Sequence, residues 1–119
     1  RRVPFMAQTY DHIIEFYGET CPHCITMKPI VEELEKELGG EFTKLETWND
    51  PKNAEKMAEY SGIIGEACGG FAGVPSFVNT QTNQALCGAQ DKEILRQFAE
   101  GADCKDGVCQ PHTKMPAKA

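Results

Sequence analysis

No apolar run in this sequence approaches the roughly 20 residues that cross a bilayer. The stretch HIIEFY is interrupted by Glu15 within a few residues, so no membrane span is expected. Positive charge is also scarce. Against 18 Asp and Glu stand 12 Lys and Arg, a formal net charge of −6. Residues 11–100 hold 16 acids and 7 bases, or −9, while the first ten residues add +2 and the last nineteen +1. An acidic body repels phosphate backbones, and no basic stripe with interleaved aromatics is present, which excludes nucleic acid as an expected partner. The basic ends read as solvated arms. An initiating Met and a signal-peptide pattern are missing too, so the chain reads as a mature or trimmed form whose targeting segment has been removed. Internal repeats and interior linkers are absent, and 119 residues suit one domain with a single core.

Cysteine is what the chain has in quantity: Cys21, Cys24, Cys68, Cys87, Cys104 and Cys109. An even count of six permits many pairings, and sequence alone selects none. Such a number leans toward an oxidising or organellar compartment: periplasm, secretory lumen or plastid.

Residues 12–17 are rich in β-branched and aromatic side chains and precede Gly18, the pattern of a strand. Met27, Ile30, Val31, Leu34 and Leu38 then recur at helical spacing, and Gly39-Gly40 supplies the stop. Pro22 suits the first helical turn, whereas Pro29 falls inside the pattern and should kink the helix. FTKLET (42–47) reads as a second strand, and Asp50-Pro51 opens a short helix. The glycine-rich segment 61–73 reads as a loop, VPSFVN (74–79) and QALCG (84–88) as a hairpin, and DKEILRQFAEG as a last helix. The order β-α-β-α-β-β-α predicts an α/β fold: a four-stranded mixed sheet flanked by helices. One domain is expected over residues 1–101, its core at about 10–101, with 102–119 a cysteine-containing tail.

Cys21 and Cys24 lie three apart at the mouth of the first helix. As an N-cap, Cys21 would place its sulfur against unpaired backbone N–H groups and the positive end of the helix dipole. Both favour the thiolate, and cysteines so placed have pKa values lowered from about 8.5 to roughly 3.5–7.5. Cys24, one turn deeper, gets less of that help, which suits an attacking and a resolving sulfur. Pro22 fixes the turn, and His23 adds a dipole or a charge inside the pair. Two other readings stand beside this one. Cys21 and Cys24 form half of a zinc site, completed by Cys104, Cys109 and His112, or they are a structural disulfide. Glu15, set in an apolar strand, is costly to ionise and suits proton exchange with Cys24, unless it points to solvent from an edge.

Taken together, IIEFYGETCPHC, KPI and GVPSFVN resemble the thioredoxin superfamily over about residues 10–100, and the Cys-Pro-His-Cys motif is similar to that of the bacterial DsbA-type thiol oxidases. The resemblance implies a thioredoxin-like fold and a protein thiol–disulfide oxidoreductase without metal or organic cofactor. Cys21 would attack, Cys24 resolve, Glu15 serve as the buried acid, and Pro29 be the helix-kinking proline. Pro75 would be a cis-proline, with the Val74 backbone, Cys87 and Gly88 along the substrate groove. Implied partners are cysteine-containing protein substrates and a redox recycling partner, met by a monomer. The Cys-Pro-His-Cys motif leans toward oxidase or isomerase activity. The alternatives are a reductase of thioredoxin or glutaredoxin type, and a non-catalytic redox-sensing binding module.

Departures from the superfamily mark the surface. Only 50 residues separate Cys24 from Pro75, leaving no room for the large helical insertion of the DsbA-type enzymes. Few residues precede HIIEFY, and Thr20 stands where thioredoxins usually carry tryptophan. No basic set for clamping glutathione carboxylates is evident. A Cys68–Cys87 disulfide is expected in preference to two free thiols, as a staple for the loop. Cys104 and Cys109 bracket the turn-forming KDGV and suit a local disulfide, with a mobile dithiol shuttle as the sharper alternative.

Overall fold

Ile13 to Phe16 are all buried, so strand β1 (Ile13–Tyr17) has to be covered on both faces. The computed structural model, which describes residues 10–70, 72–105 and 108–110, shows how. β1 runs parallel to β2 (Thr43–Glu46) and antiparallel to β3 (Ser76–Asn79), and β3 pairs antiparallel with β4 (Gln84–Cys87). The sheet order is β2-β1-β3-β4. The expected four-stranded mixed sheet is therefore present. The hairpin contributes one edge only, since β3 lies inside the sheet.

Period-two alternation sorts the side chains. Ile13, Phe77 and Leu86 share a core with Met27, Val31 and Leu34 of helix α1 (Pro22–Leu38) and Leu95 and Phe98 of α4 (Lys92–Ala99). Ile14, Phe16 and Val78 face the other way, toward Ile64 of α3 (Ser61–Cys68) and Met57 of α2 (Pro51–Ala58). Glu15 follows Ile13 onto the α1 face. Gly39 stops α1 at φ 80, its N–H bonded to the Glu35 carbonyl, as the Gly-Gly pair suggested. Pro29 sits on the solvent side of α1, and the helix continues past it to Leu38.

Two segments differ from their sequence reading. Ser61–Cys68 is a helix, not a loop. Its glycines oppose helix formation locally, but Ile64 and Gly65 are buried against the sheet, and this tertiary contact prevails over weak propensity. After α4, β5 (Asp103–Lys105) and β6 (Val108–Gln110) form a short antiparallel ladder closed by the Cys104–Cys109 disulfide. Cys104 is buried in the α1–α4 core. His112 of the zinc reading, most of the N-terminal arm and residues 111–119 lie outside the described residues.

Asn79 ties the hairpin to the last helix. Its Oδ1 accepts the N–H groups of Gln81 and Thr82, and its Nδ2 donates to the Phe98 carbonyl. Phe98 itself is fully buried. Phe98→Ala is expected to lower the unfolding free energy by about 3–5 kcal/mol in urea denaturation. Ile25→Ala, at a position 59% exposed, should stay within about 0.5 kcal/mol of wild type.

Candidate active site

Where β1 ends, the chain turns through Gly18 into α1. Cys21 is the N-cap of that helix, with extended backbone (φ −71°, ψ 122°), and Pro22 follows in the first turn. The Cys21 sulfur accepts the Cys24 N–H at 3.4 Å, and the Cys24 sulfur accepts the Gly18 N–H at 3.5 Å. Both thiols are free and each is only 5% exposed. Pro22 and His23 lie on the exposed side of the turn, and the His23 side chain makes no hydrogen bond or ion pair among the described residues.

On the far side, the Val74 carbonyl lies 3.9 Å from the Cys21 sulfur. The Val74–Pro75 peptide is cis. The Pro75 carbonyl accepts the Gly88 N–H at 2.7 Å, and Gly88 has φ 85, a conformation that favours glycine. Cys87 pairs with Ser76 in the strand register and is bonded to Cys68, at the end of α3. Val74 thus lies beside Cys21, and Pro75, Gly88 and Cys87 are joined to it through the Gly88–Pro75 hydrogen bond and the Ser76–Cys87 pairing. The sequence reading did not single out Trp48. Trp48, 55% exposed, packs over Gly18 so closely that a Cβ there would collide with its ring. The Glu46 carboxylate holds this loop by accepting the N–H groups of Glu19, Trp48 and Asn49. A lone tryptophan between strand and helix signals nothing until β2 is known to run beside β1.

Beneath the sulfurs a cleft of about 640 Å³ is lined by Cys24, Glu15 and Lys44. Glu15 is 5% exposed and sits in register with Lys44 on the adjacent parallel strand. Burial pushes its carboxyl up to about 7; Lys44 pulls the other way and Glu35 adds to the rise. The Cys24 thiol is pushed up to about 12, chiefly by burial, then by its hydrogen bond with Cys21, while the Gly18 N–H opposes the shift. A buried acid that titrates near neutrality and a thiol that holds its proton face the same space. Among the described residues no group of three or more His, Cys, Asp or Glu is arranged to hold a metal ion.

A family model described as Thioredoxin matches residues 5–100. The chain belongs to the thioredoxin family. Among solved structures it is similar to a mutant thioredoxin from Halobacterium salinarum NRC-1, with a TM-score of 0.53 and 22% identity over 74% of this chain and 70% of that one. At that identity the likeness bears on fold alone. No curated protein matches the chain. Membership of the thioredoxin family, with a free Cys-x-x-Cys pair, supports a thiol–disulfide redox function. No helix among the described residues is long and apolar enough to cross a membrane.

Glu15 makes stability depend on pH in this thioredoxin-family domain. Below about 4.5 its carboxyl is protonated folded or unfolded; between 4.5 and about 7 the folded state holds the extra proton, so stability falls as pH rises. The loss approaches about 3 kcal/mol above neutrality. Glu15→Gln should flatten this slope and exceed the reduced wild type in urea midpoint at pH 8; equal midpoints at pH 5 and pH 8 in the wild type would rule out the buried acid.

Proposed function

We propose that the protein is a thiol–disulfide oxidoreductase acting on cysteine-containing protein substrates through Cys21 and Cys24. The observation that carries this reading is the free pair itself: one sulfur caps a helix and faces the Val74 carbonyl, and the other is held one turn deeper above a buried acid.

In the reducing direction the Cys21 thiolate attacks a substrate disulfide. One substrate sulfur leaves as thiolate and a mixed disulfide forms. Cys24, losing its proton to the Glu15 carboxylate, attacks the Cys21 sulfur, and the second substrate sulfur leaves. Two electrons pass from the pair to the substrate, and Cys21–Cys24 becomes a disulfide. Oxidation of a substrate dithiol is the reverse: a substrate thiolate attacks Cys21, and the departing Cys24 takes a proton from Glu15. Because burial raises the Cys24 thiol so far, it is a poor leaving thiolate unless a proton reaches it. Proton delivery from Glu15 is therefore what lets Cys24 leave when a substrate thiolate attacks Cys21. Val74 offers its backbone to an extended substrate segment, with Pro75, Cys87 and Gly88 bordering the groove.

Oxidase or isomerase action is the direction we favour. The support is the sequence position of His23 within the pair: a donor dipole or positive charge at that point of the motif favours the reduced protein and so makes its disulfide the stronger oxidant. Equilibration with glutathione buffers measures this. His23→Ala should shift the midpoint so that the pair is harder to reduce; an unchanged midpoint removes His23 from the mechanism.

Alkylation and trapping test the roles of the sulfurs. At pH 7 iodoacetamide should modify Cys21 well before Cys24. Cys24→Ser should accumulate mixed disulfides at Cys21, and Cys21→Ser should lower turnover of a peptide disulfide by at least about a hundredfold. Equal turnover in wild type and Cys21→Ser would favour a non-catalytic binding module.

A further inference from the structure

Glu35 is a buried carboxylate that the exchange chemistry above leaves without a task. It extends from α1 toward the start of β2, where its Oε2 accepts the Phe42 N–H at 2.8 Å and the Lys44 ammonium at 2.5 Å. Lys44 is also the cross-strand neighbour of Glu15, on the same face of the sheet and along the same cleft. One ammonium therefore serves two carboxylates. Glu35 has the direct ion pair, and among the described residues Glu15 has no hydrogen bond to Lys44.

We propose that Glu35 is a positioning residue for disulfide exchange: by holding Lys44 it withholds that cation from Glu15, which stays able to carry the Cys24 proton near neutral pH. The inference rests on the proton role given to Glu15 above.

The physical basis is competition for a flexible cation. Lysine carries its charge on a four-carbon stem with three rotatable donors, so its position is set by whichever acceptor is best organised. The Phe42 N–H orients the Glu35 carboxylate, and a charge-assisted bond to an oriented acceptor is roughly twice as strong as a neutral one. Without that acceptor the ammonium is free to approach Glu15, and an opposite charge within about 4–6 Å lowers a carboxyl pKa by about 1–3 units. Glu15 would then remain ionised through the neutral range and lose its capacity to donate.

The other charged or titratable groups about Glu15 do not replace this pair. Tyr17 and Glu19 at the end of β1, Cys24, Lys28 and Glu32 on α1, Glu46 on β2, and Asp50 line the same cleft. From β3 Glu15 faces Phe77, which carries no charge. Lys28 is exposed on α1, and Glu46 is engaged with the loop that carries Trp48. Lys44 and Glu35 are the charges to which the Glu15 carboxyl responds, and with opposite signs.

Glu35→Gln tests the arrangement, because the amide keeps an oxygen for the Phe42 N–H and removes the charge that holds Lys44. The first readout is the carboxyl carbon of Glu15, followed by NMR titration of the reduced protein. The second is the resolving step alone: a thionitrobenzoate mixed disulfide is formed at Cys21, and release of the coloured thiolate is timed from pH 5 to 9. In Glu35→Gln the Glu15 midpoint should fall by about one pH unit or more, and the rising limb of thiolate release should move to lower pH by the same interval. Lys44→Met should move both upward, which reads the same coupling if the first variant folds poorly. Glu35→Gln made in the Lys44→Met background should shift the midpoint by less than half as much as in the wild type. An unmoved Glu15 midpoint, or an equal shift with and without Lys44, overturns the inference. A midpoint that falls while the release profile stays in place overturns the proton role of Glu15, and the catalytic part of the inference with it.

Discussion

The hydrogen bonds from Cys24 N–H to the Cys21 sulfur and from Gly18 N–H to the Cys24 sulfur set the geometry on which the rest of the site depends. Each is individually modest, on the order of 1 kcal/mol. Their effect comes from what fixes the donors. Gly18 directly follows a strand buried on both faces, and Cys24 lies in the first turn of a helix whose Met27, Val31 and Leu34 are locked into the core. The sulfurs thus inherit the rigidity of the sheet and the helix. A cysteine at an N-cap anywhere else would have the same amide neighbours but not this fixed relation to a second thiol, a cis-proline loop and an acid.

The acid works against the packing that surrounds it. Glu15 occupies a position that alternation assigns to the core face, beside Ile13 and opposite Phe77. An apolar residue there would satisfy the fold better, and sites that break the local pattern in this way are where function is expected. The burial that makes Glu15 destabilising when ionised also brings its titration to about 7, in the range where a carboxyl is able both to take and to give a proton. Cys24 is shifted by the same burial in the direction that keeps its proton.

Much of this was legible in the sequence, for identifiable reasons. Period-two and helical spacings, Gly39 and the Asp50-Pro51 cap gave the strands and three of the helices within a residue or two, because those signals are local. The Cys-x-x-Cys pair was readable because its chemistry requires that spacing, and Pro75 through the resemblance to the thioredoxin superfamily. α3 was not, since its helicity comes from burying Ile64 and Gly65 against strands distant in sequence. Nor was the hairpin after α4, whose six strand residues follow a polar pattern and depend on Cys104 entering the core. Lys44, Glu35 and Trp48 were missed for a related reason. Each matters only through a neighbour that parallel pairing of β1 and β2 supplies, and a single strand does not reveal its register.

The six cysteines divide into a free pair and two disulfides, and the division bears on how the site keeps its shape. Cys68–Cys87 joins the end of α3 to β4 across a separation of 19 residues, and the enclosed chain includes Val74 and Pro75. Closing a loop of that size restricts the unfolded chain by about 3 kcal/mol in the entropic account. Cys104–Cys109, with a separation of 5, restricts far less and acts mainly by keeping Cys104 in the core. α3 is short, has no side-chain N-cap and contains two glycines, so its packing alone is a weak anchor for the loop that follows. The covalent link removes that weakness. With both ends of the segment tied, the Val74 carbonyl keeps its place beside Cys21 without depending on the weakly capped helix next to it.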